Sequence, residues 1–209
     1  MNLRTRFTPL ARAKVTVARA AEGDKQKIRG YGSVFYDGTP ETEYQLWDNY
    51  CERIMPGCFD RALREDDCRG LFNHDPSLIL GRTAAGTMRL SVDARGLAYE
   101  IDPAETTIAQ DCLQHLARQD VTGSSFSFTV DDEDLRRETR DGQDMWICEV
   151  RSVHLYDVGP VTFPAYTATT AEARSDVDGR VQRFLALQKP GTPVDAAIAA
   201  ARARAIELG

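Results

Sequence analysis

Apolar and polar positions alternate at strand period over much of the first two thirds of the chain. Met88, Leu90 and Val92 alternate with polar neighbours, Asp93-Ala94-Arg95-Gly96 supplies a turn, and Leu97, Tyr99 and Ile101 resume the alternation. Successive side chains of an extended segment point to opposite faces, so this spacing predicts a β-hairpin. Trp146, Cys148 and Val150 alternate likewise and lead toward a strand over 153–158. The segment 131–144 before that strand is charged, with Asp141-Gly142 as its turn, and reads as a solvated hairpin tip. Four-residue recurrence interrupts the strands twice. Phe59, Ala62 and Leu63 form a short stripe after Pro56-Gly57, and Ile108, Cys112 and Leu116 predict a helix from about Thr107 to Gln119. His115 falls on the longer stripe and is expected at the edge of the core.

Past Ala165 the pattern changes. Residues 167–174 are small and polar, and Val177, Val181, Phe184 and Leu185 then suggest one amphipathic helix. Thr192-Pro193 can cap a second, alanine-rich helix reaching Leu208, with Lys189-Pro190-Gly191 between the two. Two such helices make a poor core of their own. The expected organisation is one domain over 1–170, with a basic arm in 1–20, followed by a linker and helical tail over 171–209. No internal repeat is present.

Composition narrows the class. A chain of 209 residues can bury one real core and carry an appendage. An apolar fraction of 42% without a long apolar run excludes a helical membrane span. Arg4, Arg6, Arg12, Lys14 and Arg19 precede the first acid, Glu22, yet no signal-type apolar core follows them, so secretion is not indicated. A net charge of −6 argues against general nucleic-acid binding, while the basic arm suits an acidic partner. Five cysteines without a C-x-x-C pair read as reduced thiols, Cys112 and Cys148 as small core residues. No clustered His, Cys and carboxylate spacing implies a metal, and no organic cofactor is implied.

The candidate chemistry lies in Gly123-Ser124-Ser125-Phe126-Ser127-Phe128-Thr129-Val130. At strand period Phe126, Phe128 and Val130 share one face, and Ser125, Ser127 and Thr129 the other. A serine nucleophile needs a base within hydrogen-bond reach, and the base needs an acceptor behind it. The chain has three histidines. His115 sits on a helix stripe, and His154 has the opposite strand parity to Asp157. His74 stands at the end of an apolar strand in a loop-like His-Asp-Pro setting, where it can point into a cleft. Asp157 shares parity with Val153 and Leu155, and a carboxylate on so apolar a face requires a partner. Asp75 is its rival, although adjacency to His74 usually turns the two side chains apart. No G-x-S-x-G elbow exists.

Seven segments occur in an order that resembles a known family. They are Arg29-Gly30-Tyr31-Gly32-Ser33-Val34-Phe35, then Glu52-Arg53-Ile54-Met55-Pro56-Gly57-Cys58-Phe59-Asp60-Arg61-Ala62-Leu63, His74-Asp75 and Leu80-Gly81-Arg82. Gly96-Leu97 with Tyr99 and Ile101 follows, then Ser125-Phe126-Ser127-Phe128, and last Leu155-Tyr156-Asp157-Val158-Gly159-Pro160-Val161 running into Phe163-Pro164-Ala165. Over roughly residues 28 to 170 the chain thus resembles the prohead proteases of tailed bacteriophages, capsid-maturation serine proteases with a herpesvirus-protease-like fold. Ser127 stands where glycine is usual, and Asp157-Val158-Gly159 where Glu-Val-Ser is frequent.

The resemblance implies an α+β fold, a small, mostly antiparallel β-barrel flanked by helices, with a helical C-terminal tail. It implies Ser125 as nucleophile ahead of Ser124 and Ser127, His74 as base and Asp157 as the third member, a place the family gives to a histidine or a carboxylate. Oxyanion donors are then expected among backbone N–H groups near 161–163. The implied activity is endopeptidase cleavage inside an assembling procapsid in the host cytoplasm. Its expected partners are the scaffolding protein, the scaffolding region of the major capsid protein and the chain itself, with homo-oligomerisation, no membrane and no nucleic acid. Two other classes compete: a non-enzymatic capsid-assembly protein of the same fold, and a metal-assisted hydrolase using His74 and Asp75.

Overall fold

The structure, a computed structural model, describes residues 3–8, 10–18 and 25–163. In chain order its elements begin with β1 (Arg4–Thr8), α1 (Leu10–Ala13), β2 (Thr16–Ala18) and β3 (Lys27–Val34). Then come β4 (Tyr44–Trp47), β5 (Tyr50–Ile54), α2 (Ala62–Glu65), β6 (Arg69–Leu71) and β7 (Ile79–Arg82). The remainder is β8 (Met88–Val92), β9 (Gly96–Ile101), α3 (Thr107–Arg118), β10 (Gly123–Arg140) and β11 (Gln143–Val161). The expected 171–209 tail lies outside the described residues.

β11 is the trunk of the larger sheet, whose order is β1-β10-β11-β5-β4. β10 runs antiparallel along one side of β11. The other side is divided: Trp146–Val150 pair parallel with β5, while Asp157 and Val158 pair parallel with β6, which in turn pairs with β7. The smaller sheet has the order β2-β3-β9-β8. The expected closed barrel is therefore corrected to mostly β structure in two open sheets. The physical reason is the fork. A strand whose second edge is shared by two short partners branches the sheet, and among the described residues no pairing joins β1 to β4 to close a ring.

The core lies under the serine strand. Phe126 and Phe128 are fully buried and stacked, with ring centroids 4.8 Å apart, and Phe59 meets Phe126 edge-on at 5.9 Å. Burying each such ring stabilises by roughly 1.5–3 kcal/mol. The hairpin read from Met88 to Ile101 forms as β8 and β9, its turn held by Asp93, which accepts from the N–H groups of Arg95 and Gly96. Gly96 has φ +156°, and a Cβ there would overlap the backbone of Ser33.

α3 starts at Thr106, whose hydroxyl accepts from Ala109 N at 3.3 Å, and buries Ala109, Cys112, Leu113 and Leu116. His115 is exposed rather than at the core edge, beside Asp120 at 3.5 Å. It sits about 100° round the helix from Leu116, off the buried face. All five cysteines are free and buried. Among the described residues no helix is long and apolar enough to cross a membrane.

The charged segment 131–144 forms the expected hairpin, and most of its residues are exposed. It continues β10 and β11 as a paired arm closed by Asp141 and Gly142, both at positive φ. Several of its acids are engaged. Glu138 accepts from Arg53 at 2.8 and 3.0 Å, and Arg53 also reaches Glu43 at 2.7 Å and lies over the Tyr36 ring at 4.1 Å. Arg140 bonds the same Glu43 at 2.6 Å. Burial pushes the Glu43 carboxyl up, but hydrogen bonds from Arg140 and Arg53 outweigh it and leave it lowered. The Arg53 hydrogen bond holds Glu138 down at about 2. Charge spacing shows such acids in a sequence but not their cross-strand partners.

Arg53→Met removes the cation at the centre of this network and leaves the buried Glu43 with less compensation. Loss of about 3–5 kcal/mol is expected in urea unfolding. The folded pKa of Glu138 lies below its ordinary value of 4.5, so its contribution is full above that value and drains away as pH falls toward about 2. The urea midpoint should fall across that window, and less steeply in Glu138→Gln.

Candidate active site

The chain leaves β6 at Phe72 and turns sharply, with Asn73 and His74 both at φ +58°. Left-handed backbone costs most residues about 1–3 kcal/mol, and Asn and His tolerate it better than most. Here three hydrogen bonds over-determine it. Asn73 N donates to Pro160 O at 3.0 Å, Asn73 Nδ2 reaches Thr162 Oγ1 at 3.1 Å, and Thr162 N donates to Asn73 Oδ1 at 2.7 Å. Asp75 closes the loop by accepting from Ser77 N at 2.8 Å and Ser77 Oγ at 2.6 Å, which lowers its pKa. These bonds turn His74 over β10 and β11 and Asp75 to its own turn.

β10 and β11 present the other members. In their pairing Ser125 is opposite Gly159 and Ser127 opposite Asp157, so the two serines and the carboxylate share one face. His74 Nε2 lies 2.6 Å from Ser125 Oγ, and Nδ1 lies 2.5 Å from Asp157 Oδ1. Ser127 Oγ also reaches Nδ1, at 3.0 Å. Asp157 is 8% exposed. Beneath it, burial and the negative charge of Asp157 push the Cys68 thiol up, so that neighbour stays neutral. An Nδ1–H held by a carboxylate leaves the Nε2 lone pair free to take a hydroxyl proton, which is the arrangement of general-base activation.

His74, Ser125 and Asp157 are thus brought together. Ser124 points to the opposite face, donating to Gly159 O at 3.2 Å. His154 is half-exposed and pairs with Asp66 and Asp131, away from the cleft. Of the backbone donors expected at 161–163, the Thr162 N–H is already taken by Asn73. Among the described residues no group of three or more His, Cys, Asp or Glu stands at metal-binding geometry.

Sequence reasoning missed the role of two groups. Ser127 ranked as a substitute nucleophile, yet it faces Nδ1, the ring nitrogen remote from Ser125. Its shared parity with Ser125 was visible, but its register opposite Asp157 was not. The basic arm was expected to suit an acidic partner, whereas Arg4 and Arg6 pair within the chain, with Glu52 and Glu133.

A sequence model of the family described as caudovirus prohead serine protease matches residues 14–181. β1 lies before the matched segment. No curated protein and no solved structure matches the chain.

Close approach of β6 to β11 makes Gly159 obligatory, since a Cβ there would overlap the Leu71 carbonyl oxygen. Gly159→Ala should cost roughly 1–3 kcal/mol or more in thermal or urea unfolding, as overpacking of backbone does. Asn73→Ala should leave the core intact and loosen His74. We expect a thermal transition that stays cooperative but falls by the equivalent of about 1–3 kcal/mol. Activity should be down by at least about tenfold beyond that, the worth of one or two hydrogen bonds.

Proposed function

The chain belongs to the caudovirus prohead serine proteases, and on that premise we propose that Ser125, His74 and Asp157 are its catalytic triad. One observation carries the reading: a continuous hydrogen-bonded line from Asp157 through His74 to Ser125. His74 Nε2 takes the Ser125 proton as Oγ attacks the scissile carbonyl carbon. The C–N bond then breaks, His74 delivers that proton to the departing amide nitrogen, and water resolves the acyl ester by the same route in reverse. Asp157 accepts from Nδ1–H, fixing the tautomer and stabilising the imidazolium. Ser127 supplements it at Nδ1.

The substrates in this reading are the scaffolding protein or the scaffolding region of the major capsid protein, met inside an assembling procapsid in the host cytoplasm, and the chain itself. In this reading the protease domain is residues 1–170. The non-enzymatic alternative has no use for a base, a carboxylate and a hydroxyl in one line.

Ser125→Ala should abolish cleavage of a capsid or scaffolding polypeptide, by roughly 10⁶ in turnover if the triad acts as a unit. Asp157→Asn should lower turnover by up to about 10⁴ through the wrong tautomer. Ser127→Ala should cost no more than roughly tenfold, the worth of one hydrogen bond. A fluorophosphonate should label Ser125, located by mass spectrometry. Cleavage by a folded Ser125→Ala protein would refute the assignment.

A further inference from the structure

The nucleophilic hydroxyl is hidden. Ser125 is 2% exposed, and the backbone of β1 covers it. β1 pairs antiparallel with β10, Phe7 opposite Ser125 and Arg6 opposite Phe126. The Ser125 hydroxyl donates to the Arg6 carbonyl oxygen at 2.9 Å. A hydroxyl has one proton. Two acceptors compete for it, His74 Nε2 at 2.6 Å and the Arg6 carbonyl oxygen, so it is not wholly available to His74. The three residues are assembled, but their nucleophile is engaged with a carbonyl of the same chain.

The side chains of β1 are held as well as its backbone. Arg4 and Arg6 share a face of the strand and converge on Glu52, which is fully buried: Arg6 Nε lies 2.6 Å from Oε2 and Arg4 Nη1 3.2 Å from Oε1. Arg4 also bonds Glu133 at 2.7 Å. Burial disfavours the Arg4 charge, but Glu52 and Glu133 outweigh it and raise the pKa. The Arg6 guanidinium lies 5.9 Å from the centre of the Phe128 ring. On the other face Thr5 meets Ser127, and the Phe7 ring fills the space over Gly123. Thr8 anchors the end of the strand, donating to Gly32 O at 2.8 Å.

We infer that the free edge of β10 is where substrate docks and that β1 is its resident occupant. The groove takes an extended peptide with basic side chains at alternate positions, the second carrying the carbonyl presented to Ser125. The inference rests on the reading of Ser125 as nucleophile. Strand addition draws affinity from main-chain hydrogen bonds and selectivity from alternate side-chain pockets. The pocket here is acidic, so Glu52 determines specificity, and a strand replacing β1 recovers its interactions by bringing guanidinium groups at the same spacing. β1 peels from Arg4 toward its Thr8 anchor before a substrate enters.

Rates of fluorophosphonate labelling at Ser125 test this. Arg4→Gln/Arg6→Gln should label about tenfold or more faster than wild type, since each lost charge-assisted pair is worth about that factor. The synthetic peptide Leu3-Arg4-Thr5-Arg6-Phe7-Thr8, added in trans, should slow labelling of that variant. The same peptide with both arginines replaced by alanine should be weaker by about tenfold or more. In Glu52→Gln the difference between the two peptides should shrink, what remains resting on the Arg4 pair with Glu133. Should the double variant lose its cooperative thermal transition, Arg4→Gln alone makes the comparison in the same direction. Equal labelling rates in folded wild type and variant would make β1 a simple edge strand and overturn the inference. Equal potency of the two peptides against the Arg4→Gln/Arg6→Gln protein, with Glu52 intact, would remove the acidic pocket from it. No label at Ser125 in any protein, or a label persisting in Ser125→Ala, would instead remove the reading of Ser125 as nucleophile.

Discussion

The two-residue parallel pairing of β6 with the end of β11 governs the site. Asp157 and Val158 hold Arg69 and Gly70 beside them, and the chain leaves that contact four residues before His74. A glycine at 159 lets the Leu71 backbone approach closely enough for the turn at Asn73 to throw the imidazole back across β11. The carboxylate and the histidine therefore meet because two backbones touch. No local preference of the loop would aim His74 there by itself.

Much of the scaffold was legible. Alternation at Met88–Ile101 and four-residue recurrence at Ile108, Cys112 and Leu116 mark elements whose buried faces are continuous and local. The parity of Phe126 and Phe128 against Ser125 and Ser127 survives in the sheet because one face of β10 is packed into the core. Closure was not legible. Whether a sheet curls into a barrel depends on which strands share the edges of β11, and pairings such as Trp146 with Tyr50 are set by tertiary packing. His115 was misplaced because α3 buries the side through Ala109, Cys112, Leu113 and Leu116, which leaves Ile108, and His115 aligned with it, at the margin of the buried face.

The residues of the proposed site were nameable from the sequence, but its surroundings were not. His74, Ser125 and Asp157 could be singled out by residue type and resemblance, but the parity expected of Asp157 is corrected. An irregularity at Tyr156 sets Leu155 opposite Phe128 and Asp157 opposite Ser127, so Asp157 shares a face with His154 and not with Val153 and Leu155. Ser127 at Nδ1 and the Arg6 carbonyl at Oγ could not, because both contacts depend on strand register. The charged arm shows the same limit. Glu133 and Glu138 look like solvent-facing acids in a polar run, yet they bind arginines on β1 and β5, far away in sequence.

β1 is covalently tethered to the strand it covers, and a tethered ligand competes at an effective concentration set by its linker rather than by its bulk amount. For short tethers that concentration is on the order of millimolar. A free peptide of equal intrinsic affinity would have to approach the same density to displace it. On the proposed reading, such an occupant would make the molecule respond to crowding: quiet in dilute solution, and opened where substrate strands are packed around it in excess.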